Sequence, residues 1–118
     1  MNSFTVEFYE KTDGKSPVLE FLNTLDLKKE AKVAREITLL EMFGTDLREP
    51  HCKYIDDGIF ELRVVMGSNI FRIFYFFYLN KRIIMTNGFI KKTNRIPKRE
   101  LKLAKNYRKD FLQREVIK

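Results

Sequence analysis

Apolar and polar residues alternate along Phe4-Thr5-Val6-Glu7-Phe8-Tyr9, the period of a half-buried strand. Thr12-Asp13-Gly14-Lys15 predicts a turn. Ser16-Pro17 then opens a helix: Ser caps the first turn, and Pro sits where its missing N–H costs nothing. This short helix is expected to run to about Leu25. A second starts at the N-cap Asp26 and carries Leu27, Ala31, Ala34, Ile37 and Leu40 at helical spacing, with Gly44 as its stop.

Beyond a loop from Thr45 to His51 the period changes to two. Lys53-Tyr54-Ile55 leads into Asp56-Asp57-Gly58, a hairpin turn. Ile59 to Met66 reads as a strand, Gly67-Ser68 as a turn, and Asn69 to Leu79 as a long aromatic strand. Asn80-Lys81 turns into a last strand, Arg82 to Phe89. Pro97 punctuates, and Arg99 to about Val116 predicts a basic helix. The order is β-α-α-β-β-β-β-α, and tight turns between the later strands demand antiparallel pairing. The expected class is α+β: two N-terminal helices packed on an antiparallel meander, with a C-terminal helix.

Parity assigns the two faces. A two-residue Gly67-Ser68 turn of type II′ pairs Met66 with Asn69, which sets Arg63 opposite Arg72 and Leu62 opposite Ile73. A two-residue Asn80-Lys81 turn pairs Leu79 with Arg82 and brings Phe89 opposite Arg72. Phe60, Leu62, Val64, Phe71, Ile73 and Tyr75 then form a core face. Glu61, Arg63, Arg72, Phe74, Asn87, Phe89 and Lys91 fall on the other face. Like charges directly across a ladder repel. Two facing arginines are therefore best explained by an anion between them, either a phosphate or the carboxylate of Glu61, Asp56 or Asp57.

Charge sharpens this picture. Residues 1–62 carry 8 Lys/Arg against 13 Asp/Glu, whereas residues 63–118 carry 15 against 3. Glu100 is the single acid between Arg63 and Lys109. Such a half suits a polyanion or an acidic partner that imitates one. Basic and aromatic residues interleave in Phe89-Ile90-Lys91-Lys92, as in single-strand nucleic-acid binders. Lys53, Arg95, Lys98, Arg99 and Lys102 extend the basic set, and the C-terminal helix is expected to border the active face. At 118 residues the chain is expected to form one domain over 1–118. No uncharged run approaches the ~20 residues of a bilayer span. No basic segment followed by an apolar one opens the chain, and Cys52 is its one cysteine, so a reducing cytoplasm is the expected location.

The segments Ser16-Pro17-Val18-Leu19-Glu20-Phe21-Leu22, Asp57-Gly58-Ile59-Phe60-Glu61-Leu62-Arg63-Val64, Phe71-Arg72-Ile73-Phe74-Tyr75-Phe76 and Asn87-Gly88-Phe89-Ile90-Lys91-Lys92, with Pro97 beyond, span nearly the whole chain. Together they resemble the RelE/ParE superfamily of type II toxins, in the HigB-like branch related to phage-derived host-inhibition proteins. The resemblance implies a microbial-RNase-like fold and ribosome-dependent endoribonuclease cleavage of messenger RNA; from the residues themselves, no metal or other cofactor is expected. The resemblance also implies a helix-turn-helix, HigA-like antitoxin, with which the toxin forms a heterotetramer. Arg63 and Arg72 match the family's strand arginines, expected to stabilise phosphate and transition state. Lys91 and Lys92 match its Phe-x-Lys-Lys segment, expected to contact RNA or act as general acid. Phe89 would stack on or orient a base. Glu61 is expected to pair with an arginine, and His51 to be a solvated loop residue.

No cluster of His, Asp, Glu and Cys has metal-ligand spacing, and there is no P-loop, dinucleotide fingerprint or nucleophile motif. Two other functions stay open on the sequence. One is a ParE-like poison of DNA gyrase. The other is a non-catalytic RNA- or DNA-binding module of the same fold.

Overall fold

The computed structural model describes residues 3–91 and 95–116, with Lys91 given by its backbone alone. The elements run β1 (Thr5–Phe8), α1 (Pro17–Leu22), α2 (Leu27–Phe43), a 3-10 turn (Gly44–Asp46), β2 (Cys52–Asp56), β3 (Ile59–Met66), β4 (Asn69–Tyr78), β5 (Arg82–Lys91) and α3 (Lys98–Val116). Both helix starts use the predicted caps: Ser16 Oγ accepts from Leu19 N at 3.1 Å, and Asp26 Oδ1 from Lys29 N at 2.9 Å. α1 stops at Leu22, three residues short of expectation, where Thr24 Oγ1 donates to the Phe21 carbonyl at 2.6 Å and competes with the helical ladder. Gly44 ends α2 at φ +51°, and a Cβ there would lie 2.1 Å from the Phe4 ring. Only glycine serves both demands.

The five strands form one sheet in the order β1-β5-β4-β3-β2. Four of them make the expected antiparallel meander. β1 corrects the expectation: it joins the edge parallel to β5, from Thr5↔Arg82 to Phe8↔Met85, so the sheet is mixed. A parallel pair needs a long crossover, and the whole chain between β1 and β5 supplies it. The outer side of β1 is closed by the end of α2, where Val6 N donates to Glu41 Oε2 at 2.9 Å and Phe4 N to the Glu41 carbonyl at 2.7 Å.

α1 and α2 cover one face. There Val18, Leu22, Val33 and Leu40 pack on Leu62, Val64, Phe71, Ile73, Tyr75, Ile83 and Met85. Each such fully buried side chain contributes about 1.5–3 kcal/mol of apolar burial. Gly88 lets α1 approach, since a Cβ there would meet the Phe21 ring at 2.6 Å. α3 lies across the second face, which is a further departure from expectation: the helix packs onto that face and does not merely border it. Ala104 and Leu101 pack with Ile59 and Phe74, while Tyr107, Phe111 and Leu112 pack with Tyr9, Phe76 and Ile84. No helix among the described residues is long and apolar enough to cross a membrane.

Candidate functional site

The β3–β4 register is the expected one: Met66↔Asn69, Arg63↔Arg72 and Leu62↔Ile73, around a turn with Gly67 at φ +61°. The β4–β5 turn differs. Tyr78 pairs with Arg82, leaving Leu79, Asn80 and Lys81 in the turn, with Asn80 and Lys81 both at positive φ. A bulge at Thr86 then inserts one residue and cancels the offset, so Phe89 still lands opposite Arg72.

Two adjacent rungs on the second face result, about 7 Å apart along the strands. The first runs Lys53, Glu61, Phe74, Asn87 across four strands; the second holds Arg63, Arg72 and Phe89. The anion between the arginines is Glu61. Its Oε1 accepts a close hydrogen bond from Arg72 Nη1 and lies 3.6 Å from Arg63 Nε. Glu61 is fully buried, and the side chains of Arg72 and Arg63 are 6% and 25% exposed. Glu61 Oε2 and both arginine Nε atoms are buried without a hydrogen-bond partner among the described residues. One carboxylate and two guanidiniums leave the cluster with one positive charge. Asp56 and Asp57, the other carboxylates considered for this role, pair with α3 instead.

Phe89 packs on Phe74 with the rings tilted by 59° and their centroids 5.2 Å apart, and is half-buried. Thr86 and Asn87 dock the start of α3. Asn87 Nδ2 donates to the carbonyl and to Oε1 of Glu100, both at 3.1 Å, and Thr86 Oγ1 donates to Asn87 Oδ1 at 2.7 Å. Sequence reasoning missed this contact, although the isolation of Glu100 within a basic stretch was its visible trace. The docking brings the start of α3 to Phe89: Phe89, Ile96 and Leu101 pack against the same cluster of Ile59, Phe74 and Ala104. Lys98, Arg99 and Lys102 on the first turns of α3, Arg95 before them and Lys53 on β2 are all exposed, and none makes an ion pair among the described residues. Lys91 ends β5 opposite Ile70, placed by its backbone alone; Lys92 lies outside the described residues.

Several other cations along α3 and β5 are committed, although Lys109 is exposed without an ion pair among the described residues. Lys105 pairs with Asp56 and Arg108 with Asp57, each at 2.7 Å, which ties α3 to the β2–β3 hairpin. Arg82 bonds Glu7 at 2.6 Å and Glu115 at 2.8 Å. Arg114 bonds Asp110 at 2.6 Å, and Tyr9 Oη donates to the same carboxylate at 2.6 Å. Burial and this bond push the Tyr9 phenol up to about 12, and the bond holds the Asp110 carboxyl below its usual range. A cleft of about 320 Å³ opens here, lined by Glu7, Tyr9, Arg82 and Arg114 among others. It sits at the far end of α3 from the arginine rung.

His51 is not simply solvated. Its Nδ1 is 3.2 Å from Glu36 Oε2 of α2, so its ring points to the helix-covered side, while its carbonyl accepts from Arg63 N at 2.9 Å. Cys52 is buried against the Leu47 carbonyl, and burial pushes its thiol up, away from reactivity.

Among the described residues, the fold and site define an α+β protein with a five-stranded mixed sheet, three α-helices and a cationic rung near the start of α3. The chain belongs to the family described as Phage derived protein Gp49-like (DUF891), whose model matches residues 20–109. This is a family of RelE- and toxin-like proteins, often the toxins of toxin–antitoxin systems. The matched span takes in every candidate site residue from Lys53 to Lys102. No curated protein matches the chain.

Proposed function

We propose that this protein is a HigB-like, RelE-fold toxin of a type II toxin–antitoxin system, a single domain over 1–118 that cleaves messenger RNA on the ribosome in the cytoplasm. One observation carries the reading: Lys53, Arg95, Lys98, Arg99 and Lys102 are exposed and make no ion pair among the described residues, and they lie opposite Glu61 on β2 and at the start of α3 that docks on Asn87, one rung from Arg63 and Arg72. A surface that only confers solubility mixes both signs; this one holds back its acids. A chain of phosphates supplies the missing negative charge.

In the proposed reaction the 2′-oxygen of a ribose bonds to the adjacent phosphorus, its proton passes to a base, and the bond to the 5′-oxygen breaks as that oxygen takes up a proton. Arg63, with Arg72 behind it, stabilises the charge that builds on the phosphorane. Lys91 and Lys92 contact the message or protonate the leaving oxygen, and the edge of Phe89 orients a base. The resting charge is neutralised by an acidic surface of a helix-turn-helix, HigA-like antitoxin in a heterotetramer. The test is a defined message in a reconstituted translation reaction, its ends mapped by primer extension. Cuts seen only with ribosomes support the proposal. Growth arrest with intact messages and cleaved chromosomal DNA would assign the protein to gyrase. RNA binding without cuts or arrest would leave a binding module.

A further inference from the structure

Arg63 and Arg72 share a rung but not an environment. Arg72 lies on the inner strand β4, flanked by Phe89 and Arg63, and its Nη1 is held by a carboxylate with no solvent exposure. Arg63 stands one strand nearer the sheet edge and is four times as exposed, at 25% against 6%. Its Nε is 3.6 Å from Glu61 Oε1, beyond hydrogen-bond range, and its guanidinium makes no hydrogen bond among the described residues. An arginine fork has five N–H donors, and a planar pair of them matches two phosphate oxygens. Arg63 has that fork available. Arg72 would have to break a buried ion pair to present one, and stripping a buried charge of its partner is costly.

From this we infer that Glu61 divides the pair: it locks Arg72 as a buried strut and leaves Arg63 as the strand arginine that grips phosphate. The inference rests on the RNA-cleaving reading above and assigns Glu61 as a positioning residue within it. Glu61 itself does not touch the message, since no part of it reaches solvent. Its single charge cancels that of Arg72, so the rung offers one net positive charge, located on Arg63.

Salt dependence of RNA binding separates the roles, because each phosphate contact to a single strand adds about 0.7 to the slope of log affinity against log salt. The probe is a single-stranded oligoribonucleotide with 2′-O-methyl sugars, which cannot be cut by 2′-oxygen attack. Arg63→Gln is expected to lower the slope by about 0.7. The double variant Glu61→Gln/Arg72→Gln, which removes both members of the buried pair, is expected to bind severalfold more weakly with the slope of the parent. Glu61→Gln alone leaves Arg72 uncompensated and is expected to raise the slope, a change that a purely structural role would not cause. Thermal unfolding checks that each variant folds, and Glu61→Leu/Arg72→Met, apolar and of similar volume, replaces the double variant if it does not. A slope lost equally in Arg63→Gln and the double variant would overturn the division while leaving the RNA reading intact. A parent protein without salt-dependent RNA binding would overturn both.

Discussion

The two ends of α3 use positive charge in opposite ways. Beyond its first two turns, Lys105, Arg108 and Arg114 are each tied to a carboxylate, Lys109 is exposed without an ion pair among the described residues, and Arg82 on β5 holds Glu7 and Glu115. Toward its N-terminus, Arg95, Lys98, Arg99 and Lys102 stand exposed without an ion pair among the described residues. The same residue types act as glue at one end and as an unfilled anion site at the other. Counting cations along the chain shows that a polyanion is wanted; only their pairing shows where it would lie.

Breaking the cluster between the two ends has the largest expected effect. Glu61→Ala strips the buried Arg72 guanidinium of its partner and leaves it facing Arg63, and urea unfolding should show a loss of about 3–5 kcal/mol. At the closed end, Arg82→Ala removes charge-assisted hydrogen bonds to two carboxylates. Unfolding should register about 1–2 kcal/mol, moderated by the partial exposure of both partners, with RNA affinity unchanged. The open end should respond in the reverse manner. Lys98→Ala/Arg99→Ala/Lys102→Ala should keep stability within about 0.5 kcal/mol while lowering the salt slope of RNA binding by up to about 2.

The smallest effect sharpens the same contrast through pH. Tyr9 ionises near 12 in the folded protein, above the value of about 10 for a solvated phenol. Its contribution is therefore complete below about pH 10 and lost as pH rises toward 12. Asp110, held low in the fold, contributes in the other direction: fully above its unfolded value of about 3.9, and lost as pH falls through its folded one. Thermal unfolding against pH should show the parent losing stability relative to Tyr9→Phe only above about pH 10. A tyrosinate absorbance titration should lose one step near 12 in that variant.

Much of the arginine rung was legible from local chemistry. Gly67-Ser68 fixes the β3–β4 register through one tight turn, and parity then sets Arg63 against Arg72. The position of Phe89 came out the same for a different reason: the three-residue turn at Leu79-Asn80-Lys81 and the Thr86 bulge offset each other, and no residue type in β5 announces that bulge. Three features depended on contacts far apart in sequence. β1 runs parallel to β5 because a long crossover permits it, and alternation in Phe4–Tyr9 carries no direction of pairing. α3 covers the second face through Asn87–Glu100 and the Asp56 and Asp57 pairs, all between distant segments. The burial of Glu61 was hidden too, since a glutamate alternating with apolar neighbours looks the same whether its face is wet or covered.

The most direct test of the central claim is an amide chemical-shift titration of the labelled protein with an uncleavable single-stranded oligoribonucleotide. The account predicts perturbations concentrated at residues 51–53, 61–65, 70–72, 87–91 and 95–102, with residues 5–10 and 107–116 unmoved. Perturbations centred on Tyr9, Arg82 and Arg114, with the Arg63 rung silent, would contradict it.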